Sequence, residues 1–211
     1  MSTGQDARAL LEQGFAALGL QAQDTAVERL LAYVELLVKW NRVYNLTAID
    51  TPARIVTHHL LDSLAILPHL TATRLLDVGS GAGLPGLPLA VMRPQLEVTL
   101  LEASQKKAAF LQQAVITLAL ANVQVVCARA EDWQGPAPFA GIVSRAFSDL
   151  EAFVRATRHL LAPGGRWLAM KGVRPQAELA ALRSARVVQV HRLQVPGLAA
   201  ERHLVVLEAL A

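Results

Sequence analysis

The residues best suited to chemistry lie in one stretch, Leu75 to Gly86, which reads LLDVGSGAGLPG. An apolar run carries an acid at Asp77, and glycines follow at 79, 81, 83 and 86. Glycine lets the backbone take positive φ and lets a ligand approach without meeting a Cβ, and Pro85 suits the start of a helix. Strand, glycine turn and helix in that order make a cradle for a small molecule. Four glycines and a proline exceed what a bare connection of about two to six residues requires.

Two ligands fit the stretch. Gly81, Gly83 and Gly86 satisfy the dinucleotide spacing G-x-G-x-x-G, and Glu102 lies about 20 residues on, where that motif places its ribose acceptor. Asp77 argues the other way, because a carboxylate beside the loop repels a pyrophosphate that the helix N-terminus should attract. S-adenosylmethionine ends in an ammonium and a sulfonium, for which an acid at the strand end is favourable, and Glu102 can still accept both ribose hydroxyls. The residues favour adenosylmethionine, with a nicotinamide dinucleotide as the alternative.

Other strand ends add to the crevice. Ala130-Glu131-Asp132-Trp133 follows a third apolar run and Ser144-Arg145-Ala146-Phe147 a fourth. A small residue and an acid suit the adenine edge, and Trp133 reads as packing. Arg145 can take a carboxylate or phosphate, or can pair with Glu131 or Asp149. Lys171, before Gly172, presents the same choice. His58 and His59 are adjacent and point about 100° apart on a helix, so they cannot share a metal, and no metal site is expected.

The elements that must position these residues follow from periodicity. The first 20 residues make a weakly amphipathic helix. Asp24 reads as the N-cap of a stronger one, whose apolar positions Val27, Leu30, Leu31, Val34, Leu37 and Val38 run to Trp40. Thr51-Pro52 caps the segment leading to His58. From Arg74, short apolar runs alternate with helices, the pattern of a doubly wound, mostly parallel sheet. Strands are expected near 75–78, 96–101, 123–127, 141–144, 166–170, 187–193 and 203–208, the last two antiparallel. Ser104 caps a helix to Leu120, and Ser148 with Glu151 forms a capping box for one ending at Leu161. The division is an N-terminal helical cap, 1–73, packed on a core of residues 74–211.

Composition bounds the rest. The chain has 211 residues, 53% of them hydrophobic, enough for a two-sided core. Its single cysteine, Cys127, excludes an internal disulfide and reads as a buried small hydrophobe. The chain shows no leader and no membrane span, so a cytoplasmic protein is expected. Net charge is +3, but residues 141–211 hold ten Lys or Arg against five Asp or Glu. A phosphate-rich partner suits that surplus, as does a solvated basic face.

Six blocks in order carry a specific likeness: Lys39-Trp40-Asn41 with Tyr44-Asn45-Leu46-Thr47; His59-Leu60-Leu61-Asp62-Ser63; Asp77 to Gly86; Ser144-Arg145-Ala146-Phe147; Lys171-Gly172; and Glu201-Arg202-His203-Leu204. From about Leu30 to Glu208 the chain resembles the bacterial small-subunit (16S) ribosomal RNA guanine-N7 methyltransferases, once called glucose-inhibited division protein B. The resemblance implies a class I (Rossmann-like) methyltransferase fold, adenosylmethionine as methyl donor, and N7 of a guanosine as acceptor. The partner it implies is small-subunit ribosomal RNA or the subunit itself; a monomer is expected. It implies cofactor contacts at Gly79, Leu84, Ala130, Glu131 and Arg145, which join Asp77 and Gly81 of the loop and Glu102 at the second strand end, read above from the residues themselves. Relatives often carry Asp where this chain has Glu102. Trp40, Tyr44, Asn45, Lys171, Arg202 and His203 become candidates for the RNA side, since an unpaired base is commonly held on an aromatic face. No residue is expected to act as a general base.

Overall fold

A computed structural model describes residues 2–145, 147 and 149–210. Seven strands form one sheet in the order β3-β2-β1-β4-β5-β7-β6. They are β1 (Arg74–Val78), β2 (Glu97–Leu101), β3 (Val123–Val126), β4 (Phe139–Ser144), β5 (Leu161–Lys171), β6 (Ala185–Leu193) and β7 (Arg202–Ala209). The first five strands are parallel neighbours, whereas β7 pairs antiparallel with both β5 and β6. Strand order reverses between β1 and β4, so a crevice opens at their carboxyl ends.

Alternation along the strands separates two apolar layers. Leu75, Val143, Leu168, Leu204 and Val206 face one cluster, and Leu76, Ile142, Trp167, Val205 and Leu207 face the other. The first layer is covered by α1 (Ser2–Ala17), α2 (Asp24–Tyr44), α5 (Gly86–Met92) and α6 (Gln105–Thr117), and the second by α7 (Leu150–Thr157). Residues from α1 to β7 share the first cluster, so the N-terminal helices have no core separate from the sheet's. Both faces of the central strands are dry, which is why β1, β2 and β7 read as nearly unbroken apolar runs.

A helical run joins α2 to the sheet. It comprises α3 (Pro52–Ile55), one wide π turn at Val56–Leu61, and α4 (Asp62–Leu64), with Thr51 at the N-cap as expected. The buried face of this run includes Ile55, Leu60, Leu61 and Leu64, and at its end it also buries Asp62 and Ser63.

Several local expectations shift. Gln23, not Asp24, is the N-cap of α2; Asp24 opens the first turn, where its charge suits the helix dipole. That helix passes Trp40 and ends at Asn45, which adopts the left-handed conformation at φ 50° that asparagine tolerates. Helix α6 stops at Thr117 rather than Leu120. Ser148 lies outside the described residues; Asp149 caps α7 by accepting from Ala152 N at 2.7 Å. Glu151 instead accepts from the Arg183 and Ser184 N–H groups, at 2.8 and 3.0 Å, and from the Ser184 hydroxyl. Cys127 is exposed rather than buried, because β3 is an edge strand that ends at Val126 and leaves the thiol beyond the last ladder pair.

Candidate functional site

The glycine loop is pinned from three sides. Gly79 and Ser80 N–H groups donate to Leu101 O at 2.8 and 3.2 Å, and Gly81 N–H donates to Glu102 Oε2 at 2.8 Å. From the helical cap, the buried Tyr33 hydroxyl donates to Ala82 O at 2.8 Å. Gly79, Gly81 and Gly83 take φ of 69°, 58° and 86°, a region that disfavours any side chain. A Cβ on Gly81 meets only Gly79 O, at 3.8 Å, so that part of the loop is open, whereas one on Gly83 falls 2.3 Å from Leu87 Cδ1 and is excluded by packing.

Asp77 lies beneath this loop, fully buried. Its Oδ2 accepts from Gly86 N at 2.8 Å, made possible because Gly86 has no Cβ; one there sits 2.8 Å from that oxygen. The start of α5 is thus already capped by a carboxylate, which removes the anion seat a dinucleotide pyrophosphate needs. Asp77 Oδ1 is buried without a hydrogen-bond partner among the described residues, an acceptor suited to a cationic or hydrogen-bonding ligand group. Burial raises the Asp77 carboxyl to about 7, with the Gly86 bond and the Arg145 charge pulling the other way.

This shift has a sign that can be measured. The folded protein holds the Asp77 proton more tightly than the unfolded chain, so between about pH 4 and 7 stability falls as pH rises. His59, buried and lowered to about 4, contributes the opposite slope over about 4 to 6.5. The two are separated by difference: Asp77→Asn, which cannot ionise, gains stability relative to the wild type as pH goes from 5 to 8 in denaturant titrations of the unliganded protein. A pH-independent difference shows that Asp77 titrates normally.

Beside the loop a cavity of about 250 Å³ opens at the ends of β1, β2 and β3. Gly79, Glu102, Ala130 and Glu131 line it as a group, joined by Arg129 and Phe147. Glu102 is 7% exposed, and its Oε1 also accepts from Ser104 N at 2.9 Å. Each carboxylate oxygen therefore keeps a further acceptor position for a ligand hydroxyl. Phe147, whose ring lies 5.2 Å from Phe153, is the aromatic wall. Trp133 stands apart, tilted against Phe139 at 6.0 Å. Neither Arg129 nor Phe147 is marked out by spacing or charge in the sequence; Phe147 belongs to the motif Ser144-Arg145-Ala146-Phe147, but only the fold brings it to the cavity.

The remaining candidates divide between two places. Leu84 is buried in the core below the loop, and Arg145 belongs to a second cavity of about 250 Å³, where it meets Asp62, Lys171, Arg202 and His203. Arg145 NH1 lies 3.3 Å from Asp62 Oδ2, and Arg202 Nε donates to Asp62 Oδ1 at 2.8 Å, so its partner is neither Glu131 nor Asp149. Lys171 Nζ donates to Glu178 Oε2 at 2.7 Å and to Phe147 O at 3.0 Å. Trp40 packs edge-on against Phe110 at 5.6 Å and beside Tyr44 at 5.1 Å, and does not line this cavity. Tyr44 and Asn45 are exposed at the end of α2. Their turn is tied down by Asn41, which exchanges two bonds of 2.9 Å with Thr47, whose hydroxyl in turn lies 2.8 Å from His59 Nε2.

Among the described residues no cluster of three or more His, Cys, Asp or Glu could hold a metal ion, and no helix is long and apolar enough to cross a membrane.

Sheet order, the antiparallel seventh strand and a glycine loop facing an acid at the end of β2 define a class I methyltransferase fold. The same fold is found in a SAM-dependent methyltransferase from Aquifex aeolicus (TM-score 0.58, 18% identity, 77% of this chain and 96% of that one) and in TrmN from Thermus thermophilus (TM-score 0.55, 20% identity, 82% and 52%). The family described as GidB, rRNA small subunit methyltransferase G, matches residues 26–205, and this chain belongs to it. Ribosomal RNA small subunit methyltransferase G of Aromatoleum aromaticum is 57% identical over 206 residues, covering 95% of this chain and 98% of that one. The protein of the same name from Neisseria meningitidis serogroup A is 54% identical over 199 residues, covering 93% and 96%.

Proposed function

We propose that this protein transfers a methyl group from S-adenosylmethionine to N7 of a guanosine in 16S ribosomal RNA. The observation that carries the reading is the adjacency of two unlike cavities on one loop. Phe147 lines the cavity beside the glycine loop, and Arg145, two residues earlier, lines the basic cavity at the ends of β5 and β7. A nucleoside cofactor and a polyanionic substrate thus meet across the end of β4.

When bound, adenosylmethionine supplies an electrophilic methyl on its sulfonium. Gly79 and Gly81 give it close backbone approach, Glu102 accepts the ribose hydroxyls, Ala130 and Glu131 border the adenine, and the buried Asp77 oxygen offsets the positive charge of its methionine end. Leu84 supports the loop from below, and Arg145 stands between cofactor and RNA. Lys171, Arg202 and His203 serve the RNA, and Trp40, Tyr44 and Asn45 form an outer aromatic and polar contact for it. Residues 1–73 cap the catalytic core of residues 74–211, and the protein works as a cytoplasmic monomer.

Guanine N7 has a lone pair and no proton to lose, so the attack requires alignment and no base. Residues that hold the two reactants together in the correct orientation would supply roughly 7 to 11 kcal/mol. The single-turnover rate with RNA and cofactor saturating is therefore expected to stay nearly flat from about pH 6.5 to 9, with Asp77 titration appearing only in the cofactor's half-saturation. A tenfold rise per pH unit that one histidine or carboxylate substitution removes would mean a base takes part. The direct test is to incubate the protein with methyl-labelled cofactor and small-subunit RNA or subunits and map the product. Label at guanine N7 supports the reading; label on another atom, or on protein only, overturns it.

A further inference from the structure

The basic cavity is organised around one buried carboxylate. Asp62, its side chain 3% exposed, holds Arg202 through Oδ1 and faces Arg145 with Oδ2, while Ser63 Oγ accepts from Arg145 NH1 at 3.3 Å. Lys171 has its charge answered by Glu178, and His203 is anchored through Nδ1 to Gly172 O at 2.8 Å. A carbonyl only accepts, so Nδ1 carries the proton there. Two guanidiniums sharing one carboxylate leave a surplus positive charge at the cavity wall, and each guanidinium has five N–H donors, of which these contacts use few. Packed alone, two such cations repel; Asp62 is what lets them stand together.

What this wall receives follows from the reaction, on the reading that N7 is the acceptor. The common bidentate grip of arginine on guanine uses O6 and N7, and an N–H on N7 would occupy the lone pair that attacks the methyl. A phosphate carries no such conflict: it is an anion with several acceptor oxygens that match paired guanidiniums. We propose that the cavity between Asp62, Arg145 and Arg202 seats one backbone phosphate of the RNA beside the target guanosine. Asp62 is the positioning residue that holds the two guanidiniums in register. The base itself lies toward the glycine loop, outside this cavity.

The test uses full-length small-subunit RNA assembled by ligation, with single methylphosphonates replacing the phosphates around the target guanosine one at a time. Binding is measured with the protein saturated in adenosylhomocysteine. In the wild type one neutralised phosphate weakens binding about tenfold or more, the loss expected for charge-assisted bonds. In Arg202→Gln the unmodified RNA binds weaker by a similar factor, the same methylphosphonate adds nothing further, and the slope of log affinity against log salt falls by about 1. Asp62→Asn loses the same position-specific sensitivity and raises KM for RNA while kcat at saturating RNA stays within about threefold; should it fail to fold, Arg202→Gln decides alone, since it leaves Arg145 and Asp62 paired. The proposal is overturned if no single phosphate matters to the wild type, or if Arg202→Gln remains as sensitive at that phosphate as the wild type. A parallel RNA with 7-deazaguanosine at the target is expected to bind normally and to take no methyl. Methylation of that RNA would refute the N7 reading and leave the phosphate result standing by itself.

Discussion

Gly79→Val is expected to abolish the rise in melting temperature that adenosylhomocysteine gives the wild-type protein. Gly79 lines the cavity beside the loop at φ 69°, where a non-glycine residue costs about 1–2 kcal/mol and a β-branched one is worst placed. The loop cannot move aside, because Gly79 and Ser80 are both bonded to Leu101 O and Gly81 to Glu102. A ligand at 100 times its Kd stabilises by about 2.7 kcal/mol, or roughly 5–10 °C for a chain of this size, and that whole increment should vanish. Gly164→Ala is the control: it has a similar φ of 72° and no atom within 4 Å of its would-be Cβ, so it carries the backbone strain without touching the cavity. Equal ligand stabilisation in Gly79→Val and the wild type would place the cofactor elsewhere.

Glu102→Ala is the second large effect, and it has two parts. Loss of a charged acceptor for the ribose hydroxyls weakens cofactor binding by about 1.5–3 kcal/mol, roughly ten- to more than a hundredfold. The substitution also strips partners from the N–H groups of Gly81 and Ser104, so the unliganded protein loses stability as well. Glu102→Gln separates the parts, since one amide oxygen can keep a backbone N–H while the charge is gone: it should recover most of the stability and little of the affinity. Calorimetric titration alongside denaturant unfolding measures both. Undiminished affinity in Glu102→Ala would remove this residue from the ribose.

Much of this site was legible in sequence because its parts are local. A strand carrying Asp77 next to its last residue, a turn with glycines at 79, 81 and 83, and a helix beginning at Gly86 require only the period of side chains along a strand and the φ that a tight turn demands. The seven strands fell close to their expected places for the same reason, each being a short apolar run bounded by turn residues. The class of ligand followed from charge: an acid at the strand end suits a cationic cofactor group, and the structure adds that the same acid already occupies the start of α5.

Contacts between distant parts of the chain were decided by tertiary structure. Arg202 and Asp62 stand 140 positions apart, and no periodicity relates them; they meet because the helical run through the π turn packs its buried face on the sheet and delivers Asp62 to the ends of β4 and β7. Arg145 was a cation with several possible partners until that packing chose Asp62 over the nearer Glu131 and Asp149. Phe147 rather than Trp133 became the cavity's aromatic wall, because the Trp133 ring packs against Phe139 while its backbone carbonyl is held by His159 Nε2 at 3.0 Å. Cys127 looked interior from its apolar neighbours, yet β3 is an edge strand, and only the pairing order of the whole sheet reveals an edge. Alternation and turn chemistry act over a few residues and so determined the strands and the glycine loop from sequence by itself; partner choice among buried charges depends on which surfaces the folded layers bring within about 4 Å, and that only the assembled structure decided.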